Sequence, residues 1–464
     1  MKEPISVTNQ RYRLGYHLMP SGGWMNDPNG FSYFQGWYHI FYQYYPYAAE
    51  WGPMHWAHAR SRDLLHWETL PAALKPDEKE DGCFSGSAVV YEGKLWLIYT
   101  GHHTPNEKDP EDFYQDQNIA CSEDGIHFTK YEGNPVLRTP KDNTKHYRDP
   151  KVWQEGETFY MVLGSQDLDH LGRALIYQSN DLLHWQRVSV LSTAKSLETE
   201  GYMWECPDFF HLDGSDILLM SPQGLEADGD RFRNMNQTGY LIGHLNPEKK
   251  TLRHEDFREI DHGHDFYATQ TMLTPDGRRV MIAWMNAWDS PMHEIEDGWA
   301  GALTLPRELR VRSGQLYQTP VVETIELRQE TILSGSMELE KDYNLGRTAE
   351  LQLKLEHPEP GVLLLLSDGN QLLQISLDTD QHRIIVSRST KDGERAATMK
   401  TSGSMRLQIF IDKSSAEIFV NDGELTFTER IYWQNDVQAR LLSDVTNQVV
   451  AWQLEGSTNI YEKK

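Results

Sequence analysis

A repeat of about 60 residues in the first two thirds of the chain is the feature that most constrains its fold. The phrase Ser-x-Asp-x-x-His followed by an aromatic residue occurs at Ser61–Trp67, Ser122–Phe128 and Ser179–Trp185. A period of this length indicates copies of one small structural unit, which cannot bury its apolar face alone and must pack against its neighbours. The first two thirds of the chain are therefore predicted to fold as an array of related units.

A second series of segments interleaves with the first and shows what each unit contains. Each member has a polar or acidic residue, a strand-like run, a glycine turn and an aromatic-rich strand, a pattern typical of a β-hairpin. The five members begin, at spacings of 56 to 64 residues, with Asp27, Ser85, Asp149, Glu205 and Asp265. Five such units with almost no helical periodicity predict a five-bladed β-propeller over roughly residues 10–310. A β-sandwich would not carry so long a repeat, and β-helix coils are much shorter.

The pattern changes after about residue 325, where the repeat stops and apolar residues alternate with polar ones. Leu351, Leu353 and Leu355 would share one face of a strand, and residues 373–377 and 407–411 alternate in the same way. Short strands of period two separated by turns indicate a β-sandwich. We therefore predict an all-β chain, with a five-bladed β-propeller at residues 1–325 followed by a C-terminal β-sandwich domain at residues 326–464.

Charge and composition exclude several classes of function. The 44 basic and 69 acidic residues give a net charge of -25, which disfavours nucleic acid and anionic membrane surfaces as partners. The first ten residues contain no apolar run that could form a signal peptide, so we expect a cytoplasmic protein. The three cysteines, Cys83, Cys121 and Cys206, lack metal-ligand spacing and suit a reducing compartment.

The repeat also predicts where acidic side chains meet. Equivalent innermost strands of a propeller converge around its central axis, so residues that begin equivalent strands become neighbours. On this reasoning Asp27, Asp149, Glu205 and Asp265 lie together at one end of the channel, although no chemical role is evident for Asp265. A group of carboxyls of this kind can perform general acid, general base and nucleophilic chemistry.

Three motifs carry a resemblance to a known family. They are Trp-Met-Asn-Asp-Pro-Asn-Gly at residues 24–30, Tyr-Arg-Asp-Pro at residues 147–150 and Trp-Glu-Cys-Pro at residues 204–207. Alone, the first motif indicates no more than a turn held by an Asp side chain. In this order the three resemble glycoside hydrolase family 32, which contains invertases, sucrose-6-phosphate hydrolases and fructanases. The family's fold, a five-bladed propeller followed by a β-sandwich, extends the resemblance over essentially the whole chain.

The resemblance implies roles for the three acids. Asp27 would attack C2 of a fructosyl unit, and Glu205 would be the general acid and base. A retaining glycosidase needs two carboxyl groups roughly 5 Å apart for this chemistry. Asp149 would hold fructose hydroxyls and stabilise the charged transition state, with Arg148 fixing its orientation. The alternative for Asp149 is a buried ion pair with Arg148, which would contribute stability and no rate.

The resemblance also implies the residues that contact the sugar. Besides Arg148, the residues expected to bind the fructosyl unit or form apolar walls around it are Trp24, Asn26, Gln43, Trp51, Phe84 and Ser85. The mechanism requires no metal and no cofactor, because the carboxyl groups supply the proton and the charge. His102, His103, His262 and His264 are expected to be surface or rim residues, not metal ligands. Cys206 is expected to be an inert buried thiol.

The predicted function is retaining hydrolysis of the fructosyl bond of sucrose 6-phosphate or sucrose, with a small sugar as the partner. A fructan or fructo-oligosaccharide hydrolase, a fructosyltransferase, an arabinan-cleaving propeller enzyme and a non-catalytic carbohydrate-binding propeller are the alternatives. A phosphorylated substrate would need a basic patch at the rim, for which the sequence offers Lys145, His146, Arg231 and Arg233. No sequence feature indicates an oligomeric state.

Overall fold

The computed structural model describes residues 2–106, 108–390, 392–400 and 403–456. Its first part contains five sheets that follow one another along the chain. The first sheet consists of β1 (Gly23–Phe34), β2 (Trp37–Tyr45), β3 (His55–Ser61) and β4 (Trp67–Leu74). The second consists of β5 (Gly82–Tyr91), β6 (Lys94–His103), β7 (Tyr114–Ser122), β8 (Thr129–Lys130) and β9 (Leu137–Arg138). The third consists of β10 (Asn143–Glu155), β11 (Thr158–Asp167), β12 (Gly172–Ser179) and β13 (Gln186–Thr193).

One helical turn, α1 (Leu197–Glu200), leads into the fourth sheet. That sheet consists of β14 (Met203–Leu212), β15 (Ser215–Gln223), β16 (Gly239–Asn246), β17 (Thr251–His254) and β18 (Arg258–Glu259). The fifth begins with β19 (Tyr267–Leu273) and β20 (Arg279–Trp284). A short strand, β21 (Trp299–Ala300), then leaves to pair with β1, before β22 (Arg307–Arg312) and β23 (Gln315–Pro320) complete the fifth sheet. A 3-10 turn precedes β21 at His293–Asp297.

The five sheets form a closed ring. The first strand of each sheet contacts the first strand of the next, in the order β1, β5, β10, β14, β19 and back to β1. Pairing of β21 with β1 joins the last sheet to the first, so neither blade leaves a free inner edge there. The predicted five-bladed β-propeller is confirmed, with the first strand of every unit lining the centre.

The repeated Ser-x-Asp-x-x-His phrase forms the corner between the third and fourth strands of the first three blades. At the first corner, Asp63 Oδ1 accepts hydrogen bonds from the backbone nitrogens of Leu65 and His66 at 3.0 and 2.8 Å. The other carboxylate oxygen lies 2.7 Å from His66 Nδ1, and the Ser61 hydroxyl donates to Asp63 at 2.9 Å. The second and third corners have the same aspartate contacts. The phrase repeats because each corner needs these side chains to satisfy its backbone.

The C-terminal part is a sandwich of two six-stranded sheets. A 3-10 turn at Val322–Leu327 leads into it. The first sheet contains β24 (Arg328–Gly335), β26 (Ala349–Leu355), β31 (Met405–Asp412), β32 (Ser415–Val420), β33 (Leu425–Arg430) and β35 (Asn447–Leu454). The second contains β25 (Asp342–Gly346), β27 (Gly361–Ser367), β28 (Leu372–Asp378), β29 (Arg383–Arg388), β30 (Glu394–Thr398) and β34 (Val437–Leu441).

Alternating apolar residues from the two sheets fill the sandwich core, as predicted for Leu351, Leu353 and Leu355. The last propeller strand ends at Pro320 and the first sandwich strand begins at Arg328. The predicted division into residues 1–325 and 326–464 therefore falls in the connecting turn, and as a division into domains it stays a prediction.

Buried ionic contacts hold the two parts together. Arg307 of β22 lies 2.9 Å from Asp261 and also pairs with Glu417 of β32, with all three side chains inaccessible to solvent. Arg430 of β33 pairs with Glu294 at 3.0 Å across the same interface. Such pairs gain little net stability over apolar contacts, but breaking one is costly, so they fix how the two parts dock.

Candidate active site

A β-bulge interrupts the first strand of every blade at a corresponding place. In each blade the pairing register between the first and second strands shifts at this bulge. The shifts come after Met25, Phe84, Arg148, Glu205 and Tyr267. Bulges re-aim side chains, and here they turn Asp27, Ser85, Asp149 and Cys206 towards one another at one end of the channel. Proline follows Asp27, Asp149 and Cys206, and Pro150 and Pro207 fall within the register shifts of their strands, where no ladder hydrogen bond is required.

The bulges also correct the predicted alignment of the blades. Asp149 and Cys206 occupy the bulges of their strands with positive φ of 66° and 47°, whereas Glu205 precedes its bulge as Arg148 does. Cys206, not Glu205, is therefore the counterpart of Asp149. Glu205 still reaches the same end of the channel, from the neighbouring position on its strand.

Three side chains hold the Asp27 carboxylate. The Ser85 hydroxyl donates to Oδ2 at 2.7 Å, Asn26 Nδ2 donates to Oδ1 at 3.1 Å, and the Cys206 thiol lies 3.6 Å from Oδ2. The indole of Trp24 donates to Asn26 Oδ1 at 2.8 Å. Because an indole nitrogen can only donate, it turns the amide nitrogen of Asn26 towards Asp27. Asp27 is thus fixed in one orientation before any substrate arrives.

The surroundings of Asp27 disfavour its negative charge. Burial raises its pKa, and the nearby charge of Glu205 raises it further, while the donors Ser85 and Asn26 act in the opposite direction. The same surroundings act on the thiol beside it, since burial and the charges of Asp27 and Asp149 raise the pKa of Cys206 well above its usual value. Cys206 is therefore a neutral thiol, as expected from the sequence, and its S–H points at the carboxylates.

Glu205 has partners on both carboxylate oxygens. Arg148 donates to Oε1 from Nε at 3.0 Å and from Nη2 at 2.9 Å. Gln223 Nε2 donates to Oε2 at 2.8 Å, and the Tyr267 hydroxyl makes a short hydrogen bond to the same oxygen. The side chain keeps 17% of its surface exposed, which leaves it open to the channel mouth. A group at the mouth can therefore still reach it.

Arg148 does not orient Asp149 in the way the sequence suggested. Its hydrogen bonds go to Glu205, and Asp149 is instead held by the backbone nitrogen of Cys206, which donates to Oδ2 at 2.9 Å. The Thr100 hydroxyl accepts from the Asp149 backbone nitrogen at 2.9 Å. Burial raises the pKa of Asp149, opposed by Arg148 and reinforced by the charges of Glu205 and Asp27. The alternative of a simple Arg148–Asp149 ion pair therefore fails on geometry.

The other residues predicted to contact the sugar or to form its apolar walls lie around this cluster. Phe84 stacks on His102 with ring centres 4.2 Å apart, and the half-exposed ring of Trp51 stands 6.0 Å from Phe84. Gln43 is buried and donates to the carbonyl of Cys83 at 3.0 Å, next to Phe84. The Trp24 ring lies beside two further indoles. Its centre is 6.0 Å from the ring centre of Trp284 and 6.1 Å from that of Trp288.

Asp265 is not part of the site. Its carboxylate pairs with Arg388 of the sandwich and accepts from the backbone nitrogen of Arg430 at 2.6 Å. The fifth blade contributes Tyr267 instead, two residues later, at the position that precedes its bulge. The sequence also did not predict Gln223, which lies at the end of the second strand of the fourth blade. The signal for Tyr267 was its distance from the Asp276-Gly277 turn, which matches that of Glu205 from its own turn to within a residue.

The histidines differ in where they lie. His102 and His103 stack on Phe84 and Tyr114 near the rim, as expected. His264 is buried instead, with Nδ1 2.7 Å from Glu429, so the expectation of a surface position was wrong for this residue. Within the described residues no group of three or more His, Cys, Asp and Glu side chains could hold a metal ion.

Comparison with known proteins identifies the family. Residues 17–320 match the glycosyl hydrolases family 32 N-terminal domain, and residues 308–455 match the glycosyl hydrolases family 32 C-terminal domain. The chain belongs to glycoside hydrolase family 32. As a member of this family it is a glycoside hydrolase, and the non-catalytic alternative is dropped.

Individual relatives of this family 32 enzyme agree along almost the whole chain. A sucrose-6-phosphate hydrolase of Escherichia coli is 42% identical over 432 residues, covering 90% of this chain and 89% of the relative. A raffinose invertase of Escherichia coli is 42% identical over 443 residues, covering 91% of this chain and 90% of the relative.

Among solved structures, a β-fructofuranosidase mutant of Bombyx mori in complex with sucrose superimposes with a TM-score of 0.90. It is 41% identical, and the match covers 97% of this chain and 95% of that one. Along the described part of the family 32 enzyme, every helix is too short or too polar to cross a membrane.

Proposed function

We propose that this enzyme hydrolyses the fructosyl bond of sucrose 6-phosphate or sucrose, with retention of configuration at C2. The observation that carries the proposal is the pair of carboxyls on two inner strands that converge at one end of the channel, with Asp27 held rigidly by three donors and Glu205 open to the channel mouth. Relatives named for these sugars and 42% identical over about nine tenths of the chain support the choice of substrate. A cytoplasmic location stays a prediction.

In the first step, Asp27 attacks C2 of the fructosyl unit while Glu205 gives its proton to the departing oxygen of the glucosyl unit. The C2–O bond breaks as the ester between C2 and Asp27 forms. In the second step, Glu205 takes a proton from water, whose oxygen attacks C2 and releases Asp27 as a carboxylate. Two displacements at C2 return the original configuration.

The remaining site residues hold the sugar between these acids. Asp149, buried and fixed by the Cys206 backbone nitrogen, would accept hydrogen bonds from fructose hydroxyls and stabilise the positive charge that develops on the ring. Asn26 and Ser85 would position Asp27 and contact the same ring. Gln43 and Trp51 would also contact the fructosyl unit, and Trp24 and Phe84 would form the apolar walls of this subsite.

The direct test is fructose release by the purified enzyme from sucrose 6-phosphate, sucrose and 1-kestose at equal concentrations. Fructose from either sucrose form, at a higher kcat/KM than from kestose, supports the proposal. A preference for kestose would favour the fructan-hydrolase alternative. A ratio of glucose to fructose well above one would reveal fructosyl transfer to sugar in place of water. Absence of fructose from all three would overturn the proposal.

Replacing Glu205 with glutamine removes the proton donor and keeps the shape of the side chain. We expect kcat on sucrose to fall about 10²-fold. The loss should be much smaller for the first step on β-fructosyl fluoride, because fluoride leaves without a proton. Stopped-flow release of fluoride checks this. Equal losses on both substrates would mean that Glu205 is not the acid.

Tyr267 is proposed as a positioning residue that acts through Glu205. Replacing it with phenylalanine removes one hydrogen bond to Oε2 while the ring stays, so kcat should fall about 10-fold with KM little changed. Tyr240→Phe is the matched control, since Tyr240 is a buried tyrosine of the same propeller away from the site. A rise in KM with kcat unchanged in Tyr267→Phe would contradict the positioning role.

A further inference from the structure

A chain of rings runs along the rim on the side of Glu205. Below Phe84 and His102, the ring of Phe113 lies 5.2 Å from His102 and 5.3 Å from His146, and Tyr202 follows at 6.4 Å from His146. Ring faces with polar edges suit the apolar faces of a hexose. Since Glu205 protonates the departing oxygen under the proposed function, the leaving glucosyl unit must lie against this rim.

His146 contacts the arginine that holds the acid/base residue. Its Nδ1 lies 3.0 Å from Arg148 Nη1, while the other nitrogens of the same guanidinium donate to Glu205. A guanidinium can only donate, so Nδ1 must accept and the ring proton must be on Nε2. Burial, Arg148 and Lys145 lower the pKa of His146 to about 3, so the ring is neutral at pH 7. His146 therefore presents one N–H donor away from Arg148.

Lys145 packs against the same aromatic ring as His146. Its ammonium stands 4.1 Å from the centre of the Phe113 ring, the same ring that packs against His146. It lies 2.8 Å from Glu111 Oε2 and also donates to the Glu111 carbonyl. The Glu111 side chain is 81% exposed, so this ion pair is in water and weak. A stronger anion could displace the Glu111 carboxylate from Lys145.

We propose that Lys145 and His146 form the subsite for the 6-phosphate of the leaving glucosyl unit, and that Glu111 occupies Lys145 when no phosphate is bound. The inference rests on the proposed function and specifies its substrate. A phosphate dianion would gain a charge-assisted hydrogen bond from the Lys145 ammonium and a second from His146 Nε2. Because His146 also contacts Arg148, the phosphate binds next to the group that holds Glu205.

The other two basic candidates from the sequence lie elsewhere. Arg231 donates to the carbonyl of Phe257 at 3.1 Å and lines a cavity between propeller and sandwich with Lys400. Arg233 lies beside Gly393 of the sandwich and donates to the carbonyl of Gly229 at 3.3 Å. Both point towards the domain interface, whereas Lys145 and His146 connect through Arg148 to Glu205.

The test compares kcat/KM for sucrose 6-phosphate and sucrose in the wild type, Lys145→Gln and Glu111→Gln. We expect Lys145→Gln to lower the value for the phosphorylated sugar about 10-fold or more and to leave sucrose within about twofold. Glu111→Gln should raise the value for the phosphorylated sugar about threefold, because the competing carboxylate is gone. Lys94→Gln is the matched control, since Lys94 forms a similar exposed pair with Glu123 at the hairpin turn, at the other end of β5 from Ser85.

The dependence of kcat/KM on ionic strength is an independent test of the phosphate contact. The kcat/KM for sucrose 6-phosphate should fall with rising ionic strength in the wild type and more shallowly in Lys145→Gln. The inference is overturned if Lys145→Gln changes both sugars equally or neither, or if the wild type cleaves sucrose but not its phosphate. In each of these cases the proposed function stands. Cleavage of neither sugar by the wild type would instead defeat the proposed function itself.

Discussion

Replacing Asp27 with asparagine is expected to lower kcat for fructose release by ~10⁴-fold or more. An amide cannot form the ester with C2, and nothing else in the cluster can replace it. The Cys206 thiol is kept neutral by burial and by its carboxylate neighbours, which raise its pKa, so it is a poor nucleophile. Asp149 is turned towards the backbone nitrogen of Cys206. Steady-state fructose release on sucrose measures the loss.

The same variant should be at least as stable as the wild type. Burial raises the pKa of Asp27, which means that the folded state disfavours its charge at neutral pH. A neutral side chain of the same shape removes that cost, as is common where an active site opposes stability. We expect an equal or higher Tm, measured beside the exposed control Asp169→Asn. A lower Tm with a proportional loss of rate would show that Asp27 only holds the turn.

The repeat predicted the propeller because its physical causes are local. Each Ser-x-Asp-x-x-His corner satisfies its own backbone, as Asp63 does for Leu65 and His66, so the same residues recur wherever the corner recurs. Each first strand begins a hairpin whose glycine turn is visible in the sequence. These features depend on neighbours within a few residues, and a sequence reveals such features directly.

The sequence could not predict in the same way which side chains face the channel axis. A β-bulge adds one residue to a strand, so counting from a turn does not say which of two adjacent side chains faces the axis. The sequence placed Glu205 in line with Asp149, whereas the bulges place Cys206 there. The family resemblance named Asp27, Asp149 and Glu205 as the acids, and they do lie together, but it could not show that Arg148 holds Glu205.

Contacts between the propeller and the sandwich could not be predicted from the sequence either. Asp265 was expected in the channel and His264 at the surface, yet Arg388 and Glu429 of the sandwich hold them in the interface. Each pair joins residues more than 120 positions apart in the chain. No local pattern marks such a partner, because burial arises only when the two parts dock.

His17 at that interface is the residue whose replacement should cost most stability. Its ring is fully buried, with Nδ1 2.8 Å from Asp412 Oδ2 and Nε2 2.7 Å from Glu417 Oε1. Burial alone would lower the pKa of His17, but the hydrogen bonds to the two carboxylates outweigh it and raise the pKa to about 9. His17→Gln keeps a polar side chain but leaves the two acids without this cation. We expect a loss of about 3–5 kcal/mol in the free energy of unfolding, measured in urea.

The pH dependence separates this charge from simple packing. The folded pKa of His17 lies above the ordinary value of 6.5, so its ionic contribution is fully present below pH 6.5 and is lost as pH rises through about 9. The wild type should therefore lose stability between pH 7 and 9.5 by more than His17→Gln does. His66→Gln, at an exposed corner, is the matched control. Parallel stability curves for wild type and His17→Gln would mean that His17 is neutral in the folded protein and that the interface depends on packing alone.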